Sequence, residues 1–190
     1  MQAAARIDDI LRFWFGDADP AAAIGQRPQW FTKDAGFDRA TEDGFGIEIE
    51  MALAGGLREW HDSPAGTLAL ILLLDQFTRN VFRGTAKAFA GDTRALALAR
   101  QAVASGQDRA MGIYQRLFVY LPFEHCEDMA CQDASVSLIG ALGDAELTRY
   151  AERHRAIIIR FGRYPHRNAV LGRQSTITEL QFLAEPGSSF

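Results

Sequence analysis

Residues 63–80 read S-P-A-G-T-L-A-L-I-L-L-L-D-Q-F-T-R-N, and the reading of this stretch decides the fold. Ser63 followed by Pro64 is a helix start: a hydroxyl that caps, then a ring whose missing N–H is not needed in the first turn. Every residue from Leu68 to Leu74 is apolar, so a helix here has no face to offer water and belongs at the centre of the core. The run is also far shorter than the ~20 apolar residues that span a bilayer.

Working outward, the other segments share the helical period. Ile7, Ile10, Leu11, Trp14 and Phe15 form one stripe, and Gly16 follows as its stop. After a loop at 17–28, Trp30 and Phe31 return the chain to the core. Phe37, Phe45, Ile49, Leu53 and Leu57 lie on one face, weakened by Gly44 and Gly46 and ended by Gly55-Gly56. Asp92 reads as the cap of a helix bearing Leu96, Ala99 and Val103, closed by Gly106. Residues 114–121 are aromatic and β-branched, yet no partner strand is visible, so the spacing predicts a short helix ended by Pro122. A helix over 123–142 follows, with Met129, Gln132, Val136 and Ile139 in register. Asp144 caps another, with Leu147, Tyr150, Ala151, His154, Ile158 and Phe161 on one face and Gly162 as its stop. Thr176 and Glu179 stand in capping-box spacing before a last short helix. Seven or eight helices with short links predict an all-α fold of packed antiparallel helical hairpins: a single domain over 1–190, frayed at 186–190.

The 190 residues are 48% hydrophobic and 23% charged, a soluble globular composition that excludes disorder over most of the chain. Two cysteines, Cys126 and Cys131, make neither a disulfide framework nor a four-ligand zinc site, and they favour a reducing, cytoplasmic setting. Arg6, Asp8, Asp9 and Arg12 interrupt the apolar residues of the N-terminus, unlike a signal peptide. The net charge of -4 is unevenly spread: residues 1–62 sum to -6, 63–148 to -2 and 149–190 to +4. Eighteen of the 20 basic residues are arginine, whose planar fork suits carboxylate and phosphate.

Three polar concentrations interrupt the apolar pattern. Behind the central helix, Asp75 and Arg79 stand four apart and face each other. A structural reading makes them a buried ion pair with Asn80 and Arg83 at the helix end; a functional one makes Arg79 and Arg83 an anion clamp. Second, Glu124, His125, Cys126, Glu127 and Asp128 follow Pro122. Acids there suit a helix N-terminus, whereas His125 has no such account. His125 and Asp128, with His154 or His166, could hold a metal only on weak spacing, and adjacent His125 and Cys126 diverge by about 100° on a helix and form no dyad. No metal or cofactor is implied. Third, Arg163, His166, Arg167, Asn168 and Arg173 crowd one loop, where ligand contacts concentrate. Arg79-Asn80 to Gly84 and Arg167-Asn168 to Gly172 also echo each other as R-N-x-x-x-G.

Three ordered motifs carry a resemblance: L-D-Q-F-T-R-N-V-F-R-G-T from Leu74, Y-L-P-F-E-H-C-E-D from Tyr120, and F-G-R-Y-P-H-R-N-A-V-L-G-R-Q-S-T from Phe161. With Trp14-Phe15-Gly16 and Trp30-Phe31, they make the chain resemble the bacterial family called domain of unknown function 924. The resemblance implies an all-helical, tetratricopeptide-like fold and no particular activity. Thr78 stands where that family usually has proline, and Cys126 where it usually has serine, which argues against a cysteine nucleophile.

Two functions fit these residues. In the first, a tetratricopeptide-like hairpin protein binds a peptide or protein, and the polar motifs hold the hairpins together. In the alternative, the motifs converge into a pocket that binds or hydrolyses an anionic metabolite. Arg79, Asn80, Arg83, Arg163, Arg167, Asn168 and Arg173 would then grip the anion, His125 or His166 would exchange a proton, and Glu127 or Asp75 would orient the imidazole. The acidic total and the scarcity of lysine speak against nucleic acid, and no segment suits a membrane.

Overall fold

The computed structural model describes residues 2–188 and is all-α, with no strand among them. Its helices are α1 (Gln2–Phe15), α2 (Ala35–Leu53), α3 (Pro64–Ile71), α4 (Thr78–Val81), α5 (Asp92–Ser105), α6 (Ile113–Glu124), α7 (Met129–Gly140), α8 (Ala145–Phe161) and α9 (Ile177–Leu183). No helix among the described residues is long and apolar enough to cross a membrane. Contacts divide the chain into two compact units. One runs to Arg83 and includes Lys87–Pro122; the other is Gly84–Ala86 with the residues from Phe123 on.

In the first unit the apolar run is central, as its composition requires: residues 68–74 are all fully buried. Ser63 caps α3 by accepting the Gly66 amide at 3.1 Å. The helix does not continue as α, however. Leu72–Phe77 widens into a π-helical segment, in which each amide reaches one residue further back. Two contacts accompany the widening. The Thr78 hydroxyl donates to the Leu74 carbonyl at 2.9 Å. Gly91 approaches so closely that a Cβ there would lie 2.2 Å from the same oxygen. Around this axis α1 packs on α3, α2 on the π segment and α4, and α5 on α3. Rings fill the space: Trp14 lies 5.4 Å from both Phe77 and Phe118, and the Trp30 indole N–H donates to the Trp14 carbonyl at 2.9 Å.

Three element boundaries differ from the sequence reading. The cap of α5 is Gly91, while Asp92 is the first helical residue and its carboxylate serves Arg79. Pro122 does not end α6, which runs through it to Glu124. The helix expected over 123–142 begins only at Met129, because Asp128 accepts the amides of Ala130 and Cys131 and caps α7 there. Residues 125–128 are therefore a turn.

In the second unit α7 packs along α8. Asp144 caps α8 through the amides of Glu146 and Leu147, and Gly162 ends it with a φ of 68°. Ile157, Ile158 and Tyr164 form a core against Met129, Phe161 and Phe182. The capping box of Thr176 and Glu179 is present. Ser188 is buried, its hydroxyl donating to the Leu183 carbonyl at 3.1 Å, and residues 189–190 lie outside the described residues.

Candidate functional site

The widened π turn buries Asp75 completely and aims it at the guanidinium one turn on: Asp75 Oδ1 lies 3.3 Å from Arg79 NH1. Arg79 also donates to both oxygens of Asp92, at 2.9 and 3.1 Å, and to the Asp75 backbone carbonyl. The face of Phe89 lies 5.5 Å away. Asp75 and Arg79 are thus joined as the structural reading expects, and Asp92 is the member that the sequence reading assigned to a cap. Arg83 holds Asp38 through two hydrogen bonds, at 2.9 and 2.8 Å. Asn80 and Arg83 form one wall of an open cleft of about 320 Å³ whose other wall is Asp38, Arg39 and Glu42 of α2.

The second unit assembles the other two motifs around Tyr164. Its ring is fully buried, its hydroxyl donates to the Glu124 carbonyl at 2.5 Å, and its amide donates to Glu127 at 2.8 Å. Burial raises the phenol's pKa, so it stays protonated. Gln132, from α7, donates its two amide N–H groups to the carbonyls of Glu124 and Cys126 at 2.7 Å each, and the same nitrogen lies 3.0 Å from the Tyr164 hydroxyl oxygen. It clamps the turn that carries His125. The guanidinium of Arg167 lies 4.5 Å from the centre of the Tyr164 ring and donates to the His125 carbonyl at 3.0 Å, while the His166 ring lies 5.6 Å from the same tyrosine. Arg167 is buried; His125 and His166 are half-buried.

Behind them sits His154, buried on α8. Its Nδ1 lies 2.9 Å from the Tyr150 carbonyl, which can only accept, so Nδ1 carries the proton. Glu124 Oε1 is 3.4 Å from the same nitrogen. Burial chiefly, and then the positive charges of His125, Arg167 and His166, push the His154 pKa down to about 3. It is a neutral core imidazole.

The remaining charged residues of these motifs have carboxylate or amide partners. Glu127 takes Arg173 on both oxygens, at 2.5 and 2.9 Å. Burial alone would raise its pKa, but Arg173 and the Tyr164 amide outweigh that and lower it. Arg163 holds Glu179 in a planar fork, at 2.7 and 2.8 Å. Asn168, fully buried, donates to the Ser175 hydroxyl at 3.0 Å. Burial, the neighbouring Cys131 thiol and Asp128 push the Cys126 thiol up to about 12, so it is no thiolate at neutral pH. Asp128 is spent on its cap, and among the described residues no group of three His, Cys, Asp or Glu is placed to hold a metal ion.

Against known proteins, residues 10–187 match the family model described as bacterial protein of unknown function, DUF924. The chain belongs to the DUF924 family. A solved structure of a protein of unknown function from Agrobacterium tumefaciens, ATU0120, is 42% identical, covers 95% of this chain and 98% of its own, and superposes with a TM-score of 0.86. No curated protein matches. For this DUF924 member, then, function has to be argued from its own residues. The sequence reading missed Gln132 and Tyr164 as members of the site. The available signal was a glutamine standing in the apolar register of α7, where an unpartnered amide would be costly.

The Arg163–Glu179 fork has a pH consequence. The Arg163 guanidinium and the Thr176 amide draw the Glu179 pKa down to about 2. A carboxyl depressed on folding adds stability above its unfolded value, about 4.3, and that stability is lost as the pH falls through the folded value. The melting temperature should therefore fall between about pH 4.3 and 2 in a step that Glu179→Gln flattens. Equal slopes for both proteins in that window would show that the fork contributes nothing.

Proposed function

We propose that this protein binds a small anionic ligand, a carboxylate or a phosphate, at His125, His166 and Arg167 of its second unit. One observation carries the reading: the buried Arg167 guanidinium lies on the Tyr164 ring beside the half-buried imidazole of His166 and bonds the backbone of the turn that bears the half-buried His125. Arginine supplies a fixed charge, and the imidazoles add ring nitrogens that can donate to an anion's oxygens. Glu127 and Arg173 brace the Tyr164 backbone, and Gln132 braces the turn bearing His125, so the ligand meets a preformed surface. Hydrolysis would need a group placed to activate water, and the reading stops at binding.

The test is a nitrogen-15 NMR titration of the imidazoles with inorganic phosphate and, separately, citrate. Signals of His125 and His166 should move with one probe or both, and His166→Ala should abolish the response of His125. A ligand at 100 times its dissociation constant would also add about 2.7 kcal/mol to stability. Imidazole signals that stay fixed at millimolar concentrations of both probes would overturn the assignment.

A second reading is that tetratricopeptide-like hairpins bind a peptide or protein partner; the exposed arginines of α8 support it. The readings part at Arg167→Ala. On the first, the folded variant loses phosphate or citrate binding; on the second, it loses only stability.

A further inference from the structure

The excess positive charge of residues 149–190 divides into two groups. Arg155, Arg163 and Arg173 hold Asp133, Glu179 and Glu127, and Arg167 packs on Tyr164. Arg149, Arg153 and Arg160 are all exposed. At 100° per residue they fall within about 40° of one another on α8, a ridge roughly 17 Å long at 1.5 Å per residue. The ridge is ordered by aromatic rings. Arg149 and Arg153 lie 6.0 and 5.5 Å from the centre of Tyr150, and Arg160 lies 4.7 Å from Phe161 and 5.5 Å from Phe182. Stacking of this kind restrains a guanidinium while leaving its edge N–H groups able to meet carboxylates.

We propose that the Arg149–Arg153–Arg160 ridge of α8 docks an acidic segment of a partner protein, whose carboxylates are spaced along the ridge and whose apolar side chains meet Tyr150. This rests on the protein-binding reading and names its partner's chemistry. The choice over a polyanion is electrostatic. The chain is net negative, and the exposed Glu146 and Glu152 stand on the same helix, Glu146 pairing with Arg149 at 2.7 Å. A nucleic-acid backbone or an anionic membrane presents dense charge that these acids repel, whereas a peptide presents separate carboxylates that fit between them. Arg153 and Arg160 lie 5.5 and 4.7 Å from the centres of the Tyr150 and Phe161 rings and compete there with stacked bases. Tyr150, 45% exposed, supplies the apolar contact beside the charges.

The test uses the full chain and a fluorescein-labelled peptide of twelve alternating glutamate and leucine residues, read by anisotropy at 50 and 300 mM salt. Binding should weaken with salt, and Arg149→Glu with Arg160→Glu should weaken it by about tenfold or more, because each reversal turns attraction into repulsion. Arg12→Glu with Arg109→Glu makes the same change of net charge at exposed positions elsewhere and should leave affinity within about twofold. Peptide binding that survives the ridge reversal leaves the chain a peptide binder and overturns the ridge; no peptide binding at 50 mM salt overturns both. Tighter binding to a labelled duplex oligonucleotide or to phosphatidylserine vesicles, lost on the ridge reversal, overturns the choice of partner. Circular dichroism of the variants confirms that the fold is intact, since all four arginines are exposed.

Discussion

Leu72→Ala is expected to lower the stability of the protein by about 2 to 5 kcal/mol. Leu72 is fully buried among fully buried neighbours, at the point where α3 widens into the π segment. Truncation loses the transfer free energy of the deleted carbons and leaves a cavity, and the total depends on how far the surroundings can close in. Here they are held. Gly91 sits against the Leu74 carbonyl, Thr78 is bonded to it, and α2 and α5 flank the segment. The loss should therefore fall in the upper half of the range. Leu171→Ala, at a residue 37% exposed, should cost less than about 1 kcal/mol. Urea unfolding followed by circular dichroism measures both, and a loss below about 1 kcal/mol for Leu72→Ala would show that the segment can repack.

The centre of this fold was legible because nothing else can be done with seven consecutive apolar residues. The caps at Ser63, Asp144 and Thr176 were legible because a hydroxyl or carboxylate before a periodic run has few other uses. The π turn was not. A period of 3.6 is inferred from spacing, and because the widening begins within the apolar run, at Leu72, its start shifts no visible polar face. Thr78 held the only trace of it. A threonine hydroxyl can bond the carbonyl four residues back, in competition with the backbone ladder. Here the Thr78 side chain bonds the Leu74 carbonyl.

Asp92 was misread for a related reason. An acid at a helix start satisfies the local rule, and only the tertiary structure reveals the guanidinium that claims it. Pro122 is the converse case: a strong local signal to stop, overridden by burial of Leu121 and Phe123 on either side. The site suffers most from such gaps. Its residue types were visible in the loops, but partner choice was not. Sequence spacing could join Asp75 to Arg79, whereas Arg173 with Glu127 and Arg163 with Glu179 needed the folded chain.

Asp75→Ala is expected to cost about 3 kcal/mol, the low end of what breaking a buried ion pair costs. The carboxylate is wholly buried, 3.3 Å from Arg79 and 2.6 Å from the Gln76 amide. Alanine removes both contacts, leaving the buried Gln76 amide without this acceptor and Arg79 with one less carboxylate. Two features hold the loss below the top of the range. Arg79 is still 19% exposed, and Asp92 grips it from the other side. The Asp75 backbone carbonyl also survives the substitution and still accepts from Arg79. Asp92→Ala should cost less, because that carboxylate is 23% exposed and its loss leaves Asp75 in place. A double-mutant cycle between Asp75→Ala and Arg79→Met should return a coupling above about 1 kcal/mol, insensitive to salt because one partner is out of reach of ions. Asp75→Asn should fall between, since its amide oxygen can keep the Gln76 contact while the charge is gone. If Asp75→Ala instead leaves urea stability unchanged and weakens only phosphate or citrate binding, Asp75 is not a structural carboxylate and the anion-clamp reading of Arg79 is restored.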